Sequence, residues 1–129
     1  MPRRRVVIDH ATVGVSDLHR SREFYRHALV PLGFAEISPW REGAHEIEFG
    51  LEDAADFAIS TAYGTGAPIH LAFAADRRDQ VDAFYAAALE AGGRDNGAPS
   101  LRSEYSDGYY GAFVLDPDGH NIEAVHHGR

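Results

Sequence analysis

The sequence predicts an α+β fold in which two βαβββ units form a curved mixed β-sheet with helices on its outer face. Three observations predict it. Sliding the chain on itself by 60 residues lays HATVGVSDLHRSREFYRHALVPLG over HLAFAADRRDQVDAFYAAALEAGG without a gap, so that His10 meets His70, Phe24-Tyr25 meets Phe84-Tyr85 and Gly33 meets Gly93. Self-similarity at a fixed offset marks one structural unit used twice. Each copy then passes from a β-branched, apolar run to a stretch with helical spacing. Clusters of turn residues divide the remainder of each copy into short strands. The expected organisation is a single domain over residues 1–129, built of modules at about 6–62 and 68–127 with a joint at Tyr63 to Pro68.

In chain order, Val6 to Val15 reads as the first strand, with Val7, Val13 and Val15 toward the helices and His10, Thr12 and Gly14 on the opposite face. Ser16-Asp17 supplies an N-cap. Phe24, Tyr25, Ala28, Leu29 and Leu32 form the apolar stripe of a helix that Pro31 and Gly33 end. Strands are expected near Phe34–Ile37, His45–Phe49 and Phe57–Thr61. The second copy opens with Ile69 to Ala75, its bulky Ile69, Leu71 and Phe73 toward the helices and His70 facing away. Asp76 is the expected cap of a helix carrying Val81, Phe84, Tyr85, Ala88 and Leu89, which Gly92-Gly93 closes. Strands near Leu101–Ser103, Tyr109–Asp116 and Asn121–His126 complete it, with a turn at Asn96-Gly97 and a hairpin at Asp116-Pro117-Asp118-Gly119.

Composition narrows the function. The chain has 129 residues, 44% of them hydrophobic, enough for a sizeable core. The formal net charge of −8 argues against nucleic acid or an anionic membrane as the main partner. All twelve basic residues are arginine, which removes lysine-based nucleophiles and bases. With no cysteine there are no disulfides or thiolate metal sites, and a cytoplasmic protein is expected. Arg3, Arg4 and Arg5 read as a solvated lead-in, not a targeting signal, and no run reaches membrane-spanning length.

One acid stands out. Glu123 lies inside an apolar strand. A two-residue loop at Pro117-Asp118 would pair Ala112 with Glu123 and Tyr110 with Val125, putting Tyr110, Ala112, Val114, Asn121 and Glu123 on the open face. His10, His70 and Glu123 would then face one concavity from three strands. Two imidazoles and a carboxylate suit one divalent metal (Zn, Fe, Ni or Mn) and leave positions open for water or substrate. A bound cation would also offset the cost of burying the carboxylate. Small neighbours at Thr12, Ala72 and Ala112 leave room for a ligand. Tyr110 is a candidate to line the pocket or else an aromatic packing residue, and Arg102, in the loop SLRSEYSDGYYG, either meets an anionic substrate group as part of a lid or lies in a solvated loop. Trp40-Arg41 and His45 are candidates for the opposite rim or for subunit contacts. Asp116 and Asp118 read as turn acids, and His126-His127 as a solvated tail.

The motifs DHATVGVSDLHRSREFY, PIHLAFAA and FVLDPDGHNIEAV resemble those of the vicinal oxygen chelate superfamily, which includes glyoxalase I, bleomycin-resistance proteins, fosfomycin-modifying transferases and extradiol dioxygenases. The resemblance covers nearly the whole chain. It implies a ligand set of His10, His70 and Glu123, and a homodimer in which His10 of one chain meets His70 and Glu123 of the other. Glyoxalase I usually adds an acid in the last strand of the first module, where this chain has Ala58, Ile59 and Ser60. The fosfomycin transferases rely on a lysine absent here. The resemblance implies a metal-dependent glyoxalase-like or dioxygenase-like enzyme acting on a small oxygen-bearing substrate, with Glu123 as ligand or base and Tyr105 or Tyr110 relaying protons. The alternative is a binding protein that sequesters an antibiotic-like compound without turnover.

Overall fold

The computed structural model describes residues 6–38 and 40–128. Arg3, Arg4 and Arg5 lie outside them. Two four-stranded sheets and two helices follow in the order β1 (Ala11–Gly14), α1 (Leu18–Ala28), a short 3-10 turn (Val30–Leu32), β2 (Ala35–Glu36), β3 (Glu46–Gly50), β4 (Phe57–Ser60), β5 (His70–Ala74), α2 (Arg78–Glu90), β6 (Arg94–Leu101), β7 (Tyr110–Leu115) and β8 (Asn121–His126). The strand orders are β1-β4-β3-β2 and β5-β8-β7-β6, so the two sheets repeat one topology. In each, the first strand pairs parallel with the last, and the remaining pairs are antiparallel. No helix among the described residues is long and apolar enough to cross a membrane.

The helices form where the periodicity places them. Leu18, Ser21, Phe24, Tyr25 and Ala28 are the buried face of α1, and the Asp17 side chain accepts from the Arg20 N–H as its cap. Val81, Phe84 and Ala88 are buried on α2. Its N-terminus differs from expectation. Arg77, not Asp76, is the cap residue, and Gln80 Oε1 accepts from the N–H groups of both Asp76 and Arg77. Gln80, at the third helical position, reaches back to the N-cap N–H as the distal half of a capping box. Gly93 follows α2 because nothing larger fits. A Cβ there would stand 2.5 Å from Val114 and 2.6 Å from Phe24. One apolar core joins both modules. Within it the Phe57 ring packs edge-on against Phe73 at 5.2 Å, and Phe73 against Phe34 at 5.4 Å.

Three strand expectations change. The first strand begins at Ala11, not Val6. Val6, Val7 and Ile8 are 73–76% exposed, so Val7 does not pack on a helix. Pairing starts there because the partner strand supplies its first acceptor at Asp56, which bonds the Ala11 N–H. The sixth strand runs from Arg94 to Leu101 instead of starting at Leu101, and Asn96-Gly97 is an irregularity inside it, not a turn. Gly97 has φ +148°, a backbone state open to glycine, which lets the strand bulge and continue.

The third change decides the site. The β7–β8 loop has three residues, not two. The Asp116 N–H bonds the His120 carbonyl at 2.9 Å, and Gly119 takes φ +89°. Ala112 therefore pairs with Ala124, Phe113 with Glu123 and Tyr110 with His126. A one-residue slip exchanges the faces of a strand.

The same turn ties the modules together. Asp116 is 1% exposed, and its Oδ1 accepts from the N–H groups of Asp118 and His120, the local bonding of a turn acid. Its Oδ2 also accepts from the Tyr25 hydroxyl of α1 at 2.5 Å. The Asp118 carboxylate accepts from the Ser16 N–H at 3.2 Å. His120, 3% exposed, takes the Ile69 N–H on Nδ1 at 3.1 Å, so Nε2 carries the proton and donates to the Gly14 carbonyl at 3.0 Å.

Candidate functional site

The open face of the second module holds a buried acid with hydrogen-bonded partners on both oxygens. The parallel β5–β8 ladder sets Ala72 beside Glu123 and His70 beside Asn121. This register places the His70 side chain over Glu123, and Nε2 donates to Oε1 at 2.8 Å. Glu123 is 1% exposed, yet both carboxylate oxygens have donors, because the Tyr109 hydroxyl donates to Oε2. A buried carboxylate is tolerated only when paired and hydrogen-bonded in this way. Burial, and then the bond to Glu123, push the Tyr109 phenol well above the ordinary tyrosine range, with Arg102 opposing weakly. The phenol therefore stays protonated and keeps donating. His70, Glu123, Tyr105, Tyr109 and Phe113 line a cavity of about 290 Å³.

A compact loop delivers Tyr109. The Arg102 N–H bonds the Tyr109 carbonyl at 2.7 Å and closes residues 102–109 into two successive turns, Tyr105 N–H to Arg102 carbonyl and Tyr109 N–H to Ser106 carbonyl. Tyr105 is 60% exposed at the rim and meets the Tyr109 ring edge-on at 5.1 Å. Arg102 donates to the Ala98 carbonyl at 2.9 Å and lies 5.0 Å over the Phe113 ring, with its buried Nε unbonded among the described residues.

The register slip moves two expected pocket residues elsewhere. Tyr110 faces α2, where its hydroxyl donates to Asp82 at 2.6 Å and Arg78 stacks on its ring at 5.1 Å. The Asp82 acceptor and burial raise the Tyr110 phenol. Ala112 is fully buried in the helix-side core, as is Val114. Gly111 and Phe113 take their places on the open face. Tyr109, the phenol that does reach Glu123, is not among the expected site residues. Its signal in the sequence is the glycine of Asp118-Gly119, which suits the positive-φ position of a three-residue hairpin loop.

His10 is not brought to this group. It precedes β1 on the first module and is exposed, and its Nδ1 bonds Asp9 at 2.8 Å. Together with Thr12, Glu46, Glu48, Ala58 and Tyr63 it lines a separate cavity of about 450 Å³. Among the described residues, no three His, Cys, Asp or Glu side chains are gathered as a metal would need. Trp40, 38% exposed, leans on α1, with its ring 5.9 Å from that of His19 and 5.2 Å from the Arg22 guanidinium. With Arg41, His45, Glu46 and Glu48 it borders a third hollow on the same module. His126 and His127 are not a solvated tail. His126 Nδ1 bonds the Ala75 carbonyl at 3.1 Å, and the His127 ring packs edge-on against Tyr109 at 5.2 Å.

Comparison with known proteins agrees with this architecture. Residues 7–124 match the model of the glyoxalase/bleomycin resistance protein/dioxygenase superfamily. A crystal structure of a glyoxalase/bleomycin resistance protein from Albidiferax ferrireducens T118 is similar, with 33% identity and a TM-score of 0.72 over 92% of this chain and 96% of that one. A family enzyme from Burkholderia phytofirmans PsJN shares the fold at 19% identity and TM-score 0.69, over 95% of this chain and 99% of that one. The lactoylglutathione lyase of Agrobacterium tumefaciens does so at 15% identity and TM-score 0.68, over 96% of each chain. No curated protein matches the chain.

Proposed function

This chain belongs to the glyoxalase/bleomycin resistance protein/dioxygenase superfamily, and from that premise we propose that it is a divalent-metal-dependent enzyme acting on a small oxygen-bearing substrate. One observation carries the reading. An almost fully buried carboxylate, Glu123, meets an imidazole nitrogen of His70 at 2.8 Å on a face that opens into a cavity. The donor set fits Zn, Fe, Ni or Mn. Two ligands held at about 2.1 Å from one metal at a right angle stand roughly 3 Å apart, so this pair needs little rearrangement. When bound, the cation supplies Lewis-acid polarisation of a substrate oxygen.

The chain's own groups do the rest. Tyr105, Tyr109 and Phe113 wall the cavity and restrict water. In this reading Tyr105, exposed at the rim, passes a proton to or from a bound substrate, and Glu123 acts as the base. Arg102 offers fixed positive charge beside Phe113 to an anionic substrate group. The third protein ligand is His10 of a second copy, making a homodimer in which Thr12 and Trp40 of that copy border the substrate.

A second reading, sequestration of a small molecule without turnover, has its own observation. Tyr109 and His70 already satisfy both oxygens of Glu123, so the carboxylate needs no cation.

Elemental analysis of protein purified without chelator, beside His70→Ala, separates the two readings. Near-stoichiometric metal that the variant loses supports the enzyme reading. A wild type that takes up none of the four metals when offered them leaves the binding reading in its place. Mixing His10→Ala with Glu123→Gln subunits tests sharing. Two-chain sites regenerate one intact site per mixed dimer, whereas sites within one chain regenerate none.

A further inference from the structure

We propose that Tyr109 is a positioning residue that holds Oε2 of Glu123, so that the carboxylate presents one oxygen, Oε1, to a cation beside His70. This rests on the metal reading above. A carboxylate left free can ligate through one oxygen or both, and the second mode fills a position that a substrate would otherwise use. Here the two oxygens are divided between partners, with His70 at Oε1 and the Tyr109 hydroxyl at Oε2.

The surroundings are built for this contact. Tyr105 and His127 meet the Tyr109 ring edge-on at 5.1 and 5.2 Å, one from the loop and one from beyond β8. Gly111 lies under the bond itself. A Cβ there would stand 3.1 Å from the Tyr109 ring and 3.2 Å from Glu123 Oε2, so even alanine would press on both partners. Gly108, at φ +77°, lets the incoming turn pass the His127 backbone, where a Cβ would lie 2.7 Å from the carbonyl oxygen. Loop, strand and the segment after β8 thus converge on one ring. Groups that orient a metal ligand change its affinity for metal by about 10–100-fold when removed.

The test uses Co2+ as probe, because the intensity of its visible bands falls as its coordination number rises. Wild type, Tyr109→Phe and Gly111→Ala are titrated with Co2+, with thermal unfolding recorded alongside. The expected result is clear binding by the wild type, with weaker bands per bound cobalt in Tyr109→Phe as the second oxygen of Glu123 joins the metal. Gly111→Ala, which keeps the phenol but crowds the contact, should shift the bands the same way and keeps the test decisive if Tyr109→Phe does not fold. Cobalt spectra unchanged in the variants, whatever happens to their stability, overturn the role of Tyr109 and leave the metal reading standing. A wild type that takes up no Co2+ overturns both.

Discussion

The two open faces repeat one topology but differ along one cross-strand row, which reads Thr12, Ala58 and Glu48 in the first module and Ala72, Glu123 and Phe113 in the second. In the first module the parallel ladder sets Thr12 beside Ala58, and in the second it sets Ala72 beside Glu123. His10 and His70 each stand two residues ahead of those pairs in the sequence, but only His70 lies within its strand, since β1 begins at Ala11. His70 reaches the carboxylate of Glu123, and the equivalent position in the first module is alanine. The loops differ to match. The aromatic of the β2–β3 connection, Trp40, leans on α1, whereas Tyr105 and Tyr109 of the β6–β7 connection stand with Glu123. A strand can carry a buried acid only if another segment brings it donors, and just one module has that segment.

The largest effect is expected where the modules join. Asp116→Ala removes three accepted hydrogen bonds and strands the Tyr25 hydroxyl, so urea unfolding should show a loss of roughly 3 kcal/mol or more. A loss below about 1 kcal/mol would mean the modules hold together without this turn.

Ala58→Glu makes the faces formally alike and should cost about 2 kcal/mol at neutral pH. The new acid would have no Tyr109 equivalent, and Glu48 stands opposite it on β3. The loss should shrink as pH falls through the carboxylate range and the acid becomes neutral. If the variant is as stable as wild type at pH 7, donors are not what separates the two faces.

Tyr25→Phe should cost about 1.5 kcal/mol at neutral pH. Burial and then Asp116 raise the Tyr25 phenol far above its ordinary value. Its contribution is complete below the unfolded tyrosine value near pH ~10 and is lost as pH rises beyond it toward the folded value. The variant should accordingly lose less stability than wild type on going alkaline, while keeping the part due to Tyr109. An identical alkaline decline in both proteins would remove Tyr25 from the account.

The smallest change is Ser21→Ala. The Ser21 hydroxyl is buried on α1 with no hydrogen-bond partner among the described residues. Its removal should leave stability within about 0.5 kcal/mol or raise it, and a larger loss on thermal melting would reveal a bond the hydroxyl does make.

The repeat, both helices and the parity of His70 and Glu123 are legible in the sequence because periodicity records which side of a strand is buried. For the choice between Tyr110 and Tyr109 as the partner of Glu123 the sequence offers one signal, Gly119, and it does not decide the loop length by itself. The choice hangs on one loop residue, and Pro117-Asp118-Gly119 admits loops of two or three. The exposure of Val6 to Ile8 is also hidden, because a β-branched run states a propensity and carries no information about where its partner strand begins. The division of His10 from the other two residues depends on how the two sheets are set, which no pattern along one strand reports.

His120 gives no signal in the sequence because its surroundings are main chain. Its two nitrogens contact the Ile69 N–H and the Gly14 carbonyl, and no side chain at all. A ring that recognises only peptide groups is indifferent to which residues those peptides belong to. A change of side chain at Ile69 leaves this link's donor in place, whereas Gly14 is held to glycine by its own neighbours, a Cβ there standing 2.3 Å from the Gly64 carbonyl oxygen.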